Sequence, residues 1–408
     1  MDKKLKQYAE LVVRQGVNLA KGEMLTIASP IIAADLVEEI TEAAYKAGAR
    51  KVMVLWRHDK LSRLGYLYQD EATLTEVPDW VVASRDYIID NKSAYVNIIS
   101  DDPDIMNGID AELITKVGRA SSKALTRFRE STSTNTTRWC LVAYPQEAWA
   151  KQIFPDLEPQ AALEKLWDHV QRTMRLDTPD PIAAWKEHEN NLKKRSDILN
   201  NAKIVKFHYK NSIGTDFSIG MPKGYIFTGA VELSSTGVPF TANMPTEEVF
   251  STPDRMTAEG TLVSALPLVH GGKIVDKFSL TFKNGRIVDY KAEVGQDVLK
   301  GIIETDEGAH YLGEIALVGY NSPIQNLKTL FYKTLFDENA SCHFAIGRGF
   351  PACYTNGLNM TKDELLEKGI NNSLEHVDFM VGTADLSITA TTEDGKEMVI
   401  FKDGDWTF

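Results

Sequence analysis

Cysteine is scarce in this chain: three among 408 residues, Cys140, Cys342 and Cys353, far apart from one another. So odd and sparse a count argues against a disulfide framework and fits a reducing, cytoplasmic setting. Cys342 adjoins His343, so a thiolate nucleophile or ligand has to be weighed there against a small buried core residue, and the core reading is preferred. Long apolar runs are also missing. No stretch approaches the ~18 consecutive apolar residues that a membrane helix requires. The opening segment, MDKKLKQYAELVVRQGVNLAKGE, is charged and amphipathic and lacks the apolar centre of a secretory signal. A soluble cytoplasmic protein is expected, with no membrane partner.

Basic clusters are absent too. The formal net charge is −12 and no Lys/Arg-rich run stands out, so a polyanion would be repelled and nucleic acid is not an expected partner. Neither GxGxxG nor GxxxxGK[ST] occurs in the N-terminal part, which leaves a nucleotide cofactor without a phosphate loop. No G-x-S-x-G elbow is present to carry a serine nucleophile.

What is present is ordinary globular material, 43% hydrophobic and 25% charged. At roughly 150 residues per domain, the length suggests two or three domains. The first part alternates strand-like runs (Met24–Ala28, Lys51–Trp56, Tyr95–Ile99, Trp139–Tyr144) with helical patterns such as Ala33–Ala47. That rhythm predicts a parallel sheet with helices on both faces. Two polar-faced helices, Gln160–Arg175 and Ile182–Leu199, close this α/β N-terminal domain, taken as residues 1–200. From Ala202 the texture becomes short alternating segments, with Asn284-Gly285 marking a hairpin. Helices are expected at Gly295–Ile303, Gln325–Leu335 and Thr361–Gly369. Residues 201–408 read as a β-rich α+β C-terminal catalytic domain.

Chemistry-bearing residues concentrate in that second half. His58, His169, His188, His208, His270 and His310 have no ligand partner at local spacing and read as surface or core histidines. His376-Val377-Asp378 differs, because residues i and i+2 of a strand share a face and place an imidazole beside a carboxylate. Such a pair suits zinc, cobalt or manganese, or equally a plain ion pair. His343 lies in the small-residue strand SCHFAIG, either a satisfied core histidine or a ligand. Glu314 sits inside LGEIALV, where a buried carboxylate needs a cation or a proton. Of the adjacent pair Glu247 and Glu248, a strand would turn one inward and the other to solvent. Three carboxylates and two imidazoles suit two metals if one carboxylate bridges them.

With those residues in view, the chain resembles the aminopeptidase T / aminopeptidase S / PepS family of metallo-exopeptidases. The matching blocks run in order along nearly the whole chain: YAELVVRQGVNLAKGE, WCLVAYPQEAWAKQIFP, GTDFSIGMP, NMPTEEVFSTP, LGEIALV, NASCHFAIG and HVDFMVG. The resemblance implies a two-metal aminopeptidase acting on the N-terminal residues of peptides, and a homodimer enclosing the active sites. It carries the metal ligands onto Glu248, Glu314, His343, His376 and Asp378. It also exposes a departure: the family has a tyrosine seven residues beyond the first histidine, and here that residue is Phe350. A phenylalanine neither ligates nor donates a hydrogen bond, so the hydroxyl is dispensable, or Tyr354 or Arg348 replaces it, or activity is altered. Glu247 is a further candidate, as a proton shuttle. The competing reading is a peptide-binding or catalytically impaired paralogue with a degenerate metal site.

Overall fold

The computed structural model describes residues 2–100 and 102–408. It divides into two compact units, Met1–Glu187 with Val231–Pro245, and His188–Ala230 with Thr246–Phe408; the boundary falls inside the helix Pro181–Asn201. The fold is mixed α/β, with one parallel sheet and several antiparallel ones.

In the first unit, four parallel strands stand in the order Lys51–Arg57, Met24–Pro30, Ala94–Ile99, Trp139–Ala143. Met24–Pro30 is buried along its whole length, which explains its unbroken run of uncharged residues. Leu5, Tyr8, Leu11 and Val12, on the apolar face of the first helix and its continuation, are all buried. The expected strands and helices of this part form, with ends shifted by a residue or two.

The second unit holds a nine-stranded antiparallel sheet and a separate four-stranded one. The small sheet is antiparallel throughout and runs His376–Met380, His343–Gly347, Leu312–Leu317, Val249–Ser251. Its register explains how it serves two masters. Ile315, Phe344 and Phe379 fall in one cross-strand row and belong to the core. Phe344 packs edge-on against Tyr209 and Phe217, at 5.0 and 5.3 Å between ring centroids, and Phe379 meets Phe278 at 5.7 Å. The alternate residues therefore form the opposite face. On it, Glu314, Ala345 and Asp378 make one row, and Ala316, His343 and Met380 the next.

One expected helix does not form. Gln325–Leu335 is replaced by two short turns of helix, Pro323–Asn326 and Thr334–Asp337, separated by a loop. Lys328 and Tyr332 in that loop take left-handed backbone angles, φ 49° and 56°. The Asp337 carboxylate accepts from Phe331 N (2.7 Å) and Lys333 N (2.9 Å), so these amides bond a side chain instead of a helical carbonyl.

Candidate metal centre

The small sheet converts sequence spacing into a cluster of ligand atoms. His376 and Asp378 project from the same face of one edge strand, as a two-residue spacing requires. His343 and Ala345 lie on the central strand, and Ala345 stands between Glu314 and Asp378 in the register. The methyl of Ala345 leaves space that a larger side chain would fill. Glu314 is set by an irregularity at Leu312/Glu314, where Gly313 backs onto the next strand. A Cβ on Gly313 would lie 2.3 Å from the Arg348 carbonyl carbon, so only glycine fits there. Glu248 enters from the residue just before Val249–Ser251.

All five sequence-derived ligand candidates meet. His343 Nε2 lies 3.1 Å from Glu248 Oε2, and His376 Nε2 lies 3.2 Å from Glu314 Oε2 and 3.3 Å from Asp378 Oδ1. Two triads result, Glu248–Glu314–His343 and Glu314–His376–Asp378, each with its ligand atoms within 4.8 Å of one another. Glu314 belongs to both. Of its residue surface only 4% is exposed, and His343 is closed off at 1%.

Both imidazoles are oriented from behind. His343 Nδ1 lies 3.2 Å from Ser341 O and His376 Nδ1 lies 2.7 Å from Arg348 O. A carbonyl only accepts, so each Nδ1 must carry the hydrogen and each Nε2 faces the cluster. Phe350 packs on the His376 ring at 4.8 Å and on Phe250 at 5.4 Å between centroids, an apolar brace where the family's hydroxyl is expected.

The electrostatics are those of a crowded, desolvated acidic site. Burial drives the Glu314 carboxyl up to about 7, helped by Asp378 and Glu248 and opposed by His376. Burial works against charge on His343, yet Glu248, Glu314 and Asp378 outweigh it and lift the imidazole to about 10. His376 is raised well above the ordinary range on the same balance, with Asp378 and Glu314 overcoming burial. Asp378 is held low, because His376 and His343 overcome the cost of its burial. One of its oxygens, Oδ1, is fully buried, with the His376 imidazole 3.3 Å away.

The donor set fits a borderline transition metal. Imidazole nitrogen and carboxylate oxygen bond zinc at about 2.0–2.2 Å, so neighbouring ligand atoms on one tetrahedral ion stand about 3.4 Å apart. The pairs at 3.1, 3.2 and 3.3 Å already stand near that separation. Buried carboxylates crowded on two imidazoles are what a cation would satisfy.

The weaker sequence candidates are differently placed. Glu247 turns from the cluster toward the helix Pro181–Asn201, with Oε2 3.6 Å from His188 Nε2, while Glu248 takes the inward position. His188, read from the sequence as a surface or core histidine, also reaches Thr246 O at 2.8 Å and so braces the segment that delivers Glu248. The Arg348 side chain is exposed, and the residue serves the site through its carbonyl. Tyr354 bridges to Tyr225, with its ring against Gly224.

Glu338 is the residue that sequence reasoning missed. It lies on a 3₁₀ turn, Glu338–Ala340, five residues before His343. Burial first, then the charges of Asp378 and Glu248, push its carboxyl well above the usual range, against the pull of His343. The neighbouring Asn339 is fully buried and accepts from Glu247 N at 2.7 Å, tying the Glu338 turn to the Glu248 segment.

The thermophilic metalloprotease (M29) family model matches residues 1–406. The chain belongs to that family. It is 40% identical over 405 residues to aminopeptidase AmpS of Bacillus subtilis, covering 99% of this chain and 98% of the relative. Aminopeptidase 2 of Geobacillus stearothermophilus is 38% identical over 407 residues, covering 100% and 98%. The solved structure of wild-type AmpT from Thermus thermophilus superposes with a TM-score of 0.93 at 31% identity, covering 100% of both chains. M29 membership makes the protein a metal-dependent aminopeptidase, a hydrolase of peptide N-termini, and implies a divalent metal cofactor. The degenerate-site alternative is not favoured. Among the described residues, no helix is long and apolar enough to cross a membrane.

Proposed function

We propose that this M29 aminopeptidase works with two divalent ions, zinc, cobalt or manganese, one held by Glu248 and His343 and the other by His376 and Asp378, with Glu314 shared. The observation that carries this is the membership of Glu314 in both triads. Charge supports the number two. With Glu338 ionised, four carboxylates surround the pair of imidazoles; a single dication leaves a net −2 in a buried space, whereas two make it neutral.

Bound there, such ions supply an activated water and polarise the scissile carbonyl. The remaining work falls to the chain. His343 and His376 hold their Nε2 atoms on the cluster through the carbonyls of Ser341 and Arg348. Phe350 shields the His376 ring from water. Glu338 is the group suited to carry a proton, taking it on a carboxylate oxygen from the attacking water and releasing it to the leaving amine. Glu247 is reserved for bracing the Glu248 segment through His188. The second unit is the catalytic domain in this reading, and the protein acts on cytoplasmic peptides.

Exhaustive chelation should abolish aminoacyl-p-nitroanilide hydrolysis, and added cobalt, zinc or manganese should restore it. The sign of the pH dependence follows from the imidazoles. Their raised affinity for protons means that metal must displace protons from Nε2 on loading. Apparent metal affinity should therefore climb from about pH 7 toward 10, with proton release seen by calorimetry in buffers of different ionisation enthalpy. Hydrolysis that survives chelation but yields to a thiol alkylator would contradict the metal assignment.

A homodimer is part of the proposal. The helix Asp59–Tyr68 buries none of its residues, and Leu61, Leu64, Leu67 and Tyr68 are exposed along it. So much apolar surface on one helix calls for a partner, and a second copy is the occupant the family resemblance implies. Leu64→Glu with Leu67→Glu should shift the protein to monomer in sedimentation velocity; an unchanged dimer would remove this face from the interface.

A further inference from the structure

Beside the ligand cluster lies a cavity of about 50 Å³ that includes Asp378 and Glu338 in its lining. One wall is apolar and made by Pro267, Leu268, Val269 and Met380. Ala265 N donates to Met380 O at 2.8 Å, which fastens that wall to the strand bearing His376 and Asp378. Tyr332, Thr334 and Asp337 close the space from the loop that replaces the expected helix.

That loop is held in place. Asp337 takes the Phe331 and Lys333 amides, and Phe331 stacks on Phe336 with centroids 4.6 Å apart. Tyr332 keeps φ 56°, an angle a bulky residue maintains only when its surroundings impose it. Widening the cavity means undoing these contacts, so its size is a property of the fold.

In an aminopeptidase, the Cα of the first residue is bonded directly to the scissile carbonyl carbon. With that carbonyl at the metal ligands, the first side chain starts within two bonds of it and must enter space adjoining them. We infer that the cavity beside Asp378 is the subsite for the N-terminal side chain, and that it selects short aliphatic ones. A water needs about 10–15 Å³ in comparable terms, whereas a cavity of about 150 Å³ admits benzene. The space here suits an alanine or valine side chain, and an aromatic ring has to stand out of it or displace the Val269 wall or the Tyr332 loop. An acidic side chain would bring its charge among the carboxyls of Asp337, Glu338 and Asp378, with no Lys, Arg or His in the lining to pair it.

This inference rests on the aminopeptidase assignment, and the test separates the two. Metal-loaded full-length protein is assayed on Ala-, Val-, Leu-, Phe- and Asp-p-nitroanilides. The wild type should favour Ala and Val over Phe by about tenfold or more in kcat/KM, with Asp poorest. Val269 lies on the edge strand Leu268–His270, which carries none of the ligand residues, and is the residue to vary. Val269→Ala should raise the Leu/Ala ratio of kcat/KM about tenfold, and Val269→Phe should lower the Val/Ala ratio by a similar factor. Ratios are read because a general loss of activity cancels in them. A wild type that handles Phe as well as Ala, or ratios unmoved in both variants while each still unfolds cooperatively, would overturn the subsite. Failure to cleave any anilide would instead strike the aminopeptidase assignment, and the subsite with it.

Discussion

Glu314→Gln should lower turnover by roughly 10³-fold or more and leave a folded protein short of both metals. The reason is geometric. Glu314 is the carboxylate that both triads have in common, so losing its charge weakens two sites at once. The substitution is nearly isosteric and removes a charge that burial already penalises, so stability without metal should not fall. His343→Ala is the control, because His343 belongs to one triad and its loss should cost about one metal equivalent. Metal content by plasma mass spectrometry, set beside kcat, reads both effects. Two equivalents and normal turnover in Glu314→Gln would place the bridge elsewhere.

Glu338→Gln should show the opposite pattern. Both metals should remain, while kcat falls about 10²–10⁴-fold with KM little changed, as for loss of a general base or acid. Its carboxyl is held high by burial and by the negative charges of Asp378 and Glu248, and two dications would reverse that local field. The acidic limb of the kcat profile should be the limb that Glu338→Gln alters. A variant within tenfold of wild type would assign the proton transfer to another group.

These two glutamates also mark how far the sequence could be read. Glu314 was legible because a carboxylate within an apolar strand has to be explained, and His376 with Asp378 because the strand period puts both on one face. Glu248 needed the family resemblance to be chosen over Glu247, since its segment is not itself a strand. Glu338 gave no periodic signal: it sits on a short turn, and its relation to the cluster exists only after Leu312–Leu317 and His376–Met380 flank His343–Gly347. The acceptors that fix the imidazole tautomers, Ser341 O and Arg348 O, are backbone atoms that no residue identity reveals.

The misread helix has the same origin. Gln325–Leu335 carries acceptable helical spacing, but a carboxylate two residues beyond it, Asp337, captures the amides of Phe331 and Lys333. Local propensity lost to a side chain that lines the cavity beside the site. The strand pattern of the first unit, in contrast, was readable because burial on both faces leaves an unbroken run in Met24–Pro30.

The central claim is that two metal ions share Glu314. Crystals of the metal-loaded protein, with diffraction recorded on both sides of the metal's absorption edge, test it most directly. Two anomalous peaks about 3.5–4 Å apart are expected, one against Glu248 and His343, the other against His376 and Asp378, with Glu314 touching both. A single peak, or two peaks with Glu314 on only one of them, would contradict the account.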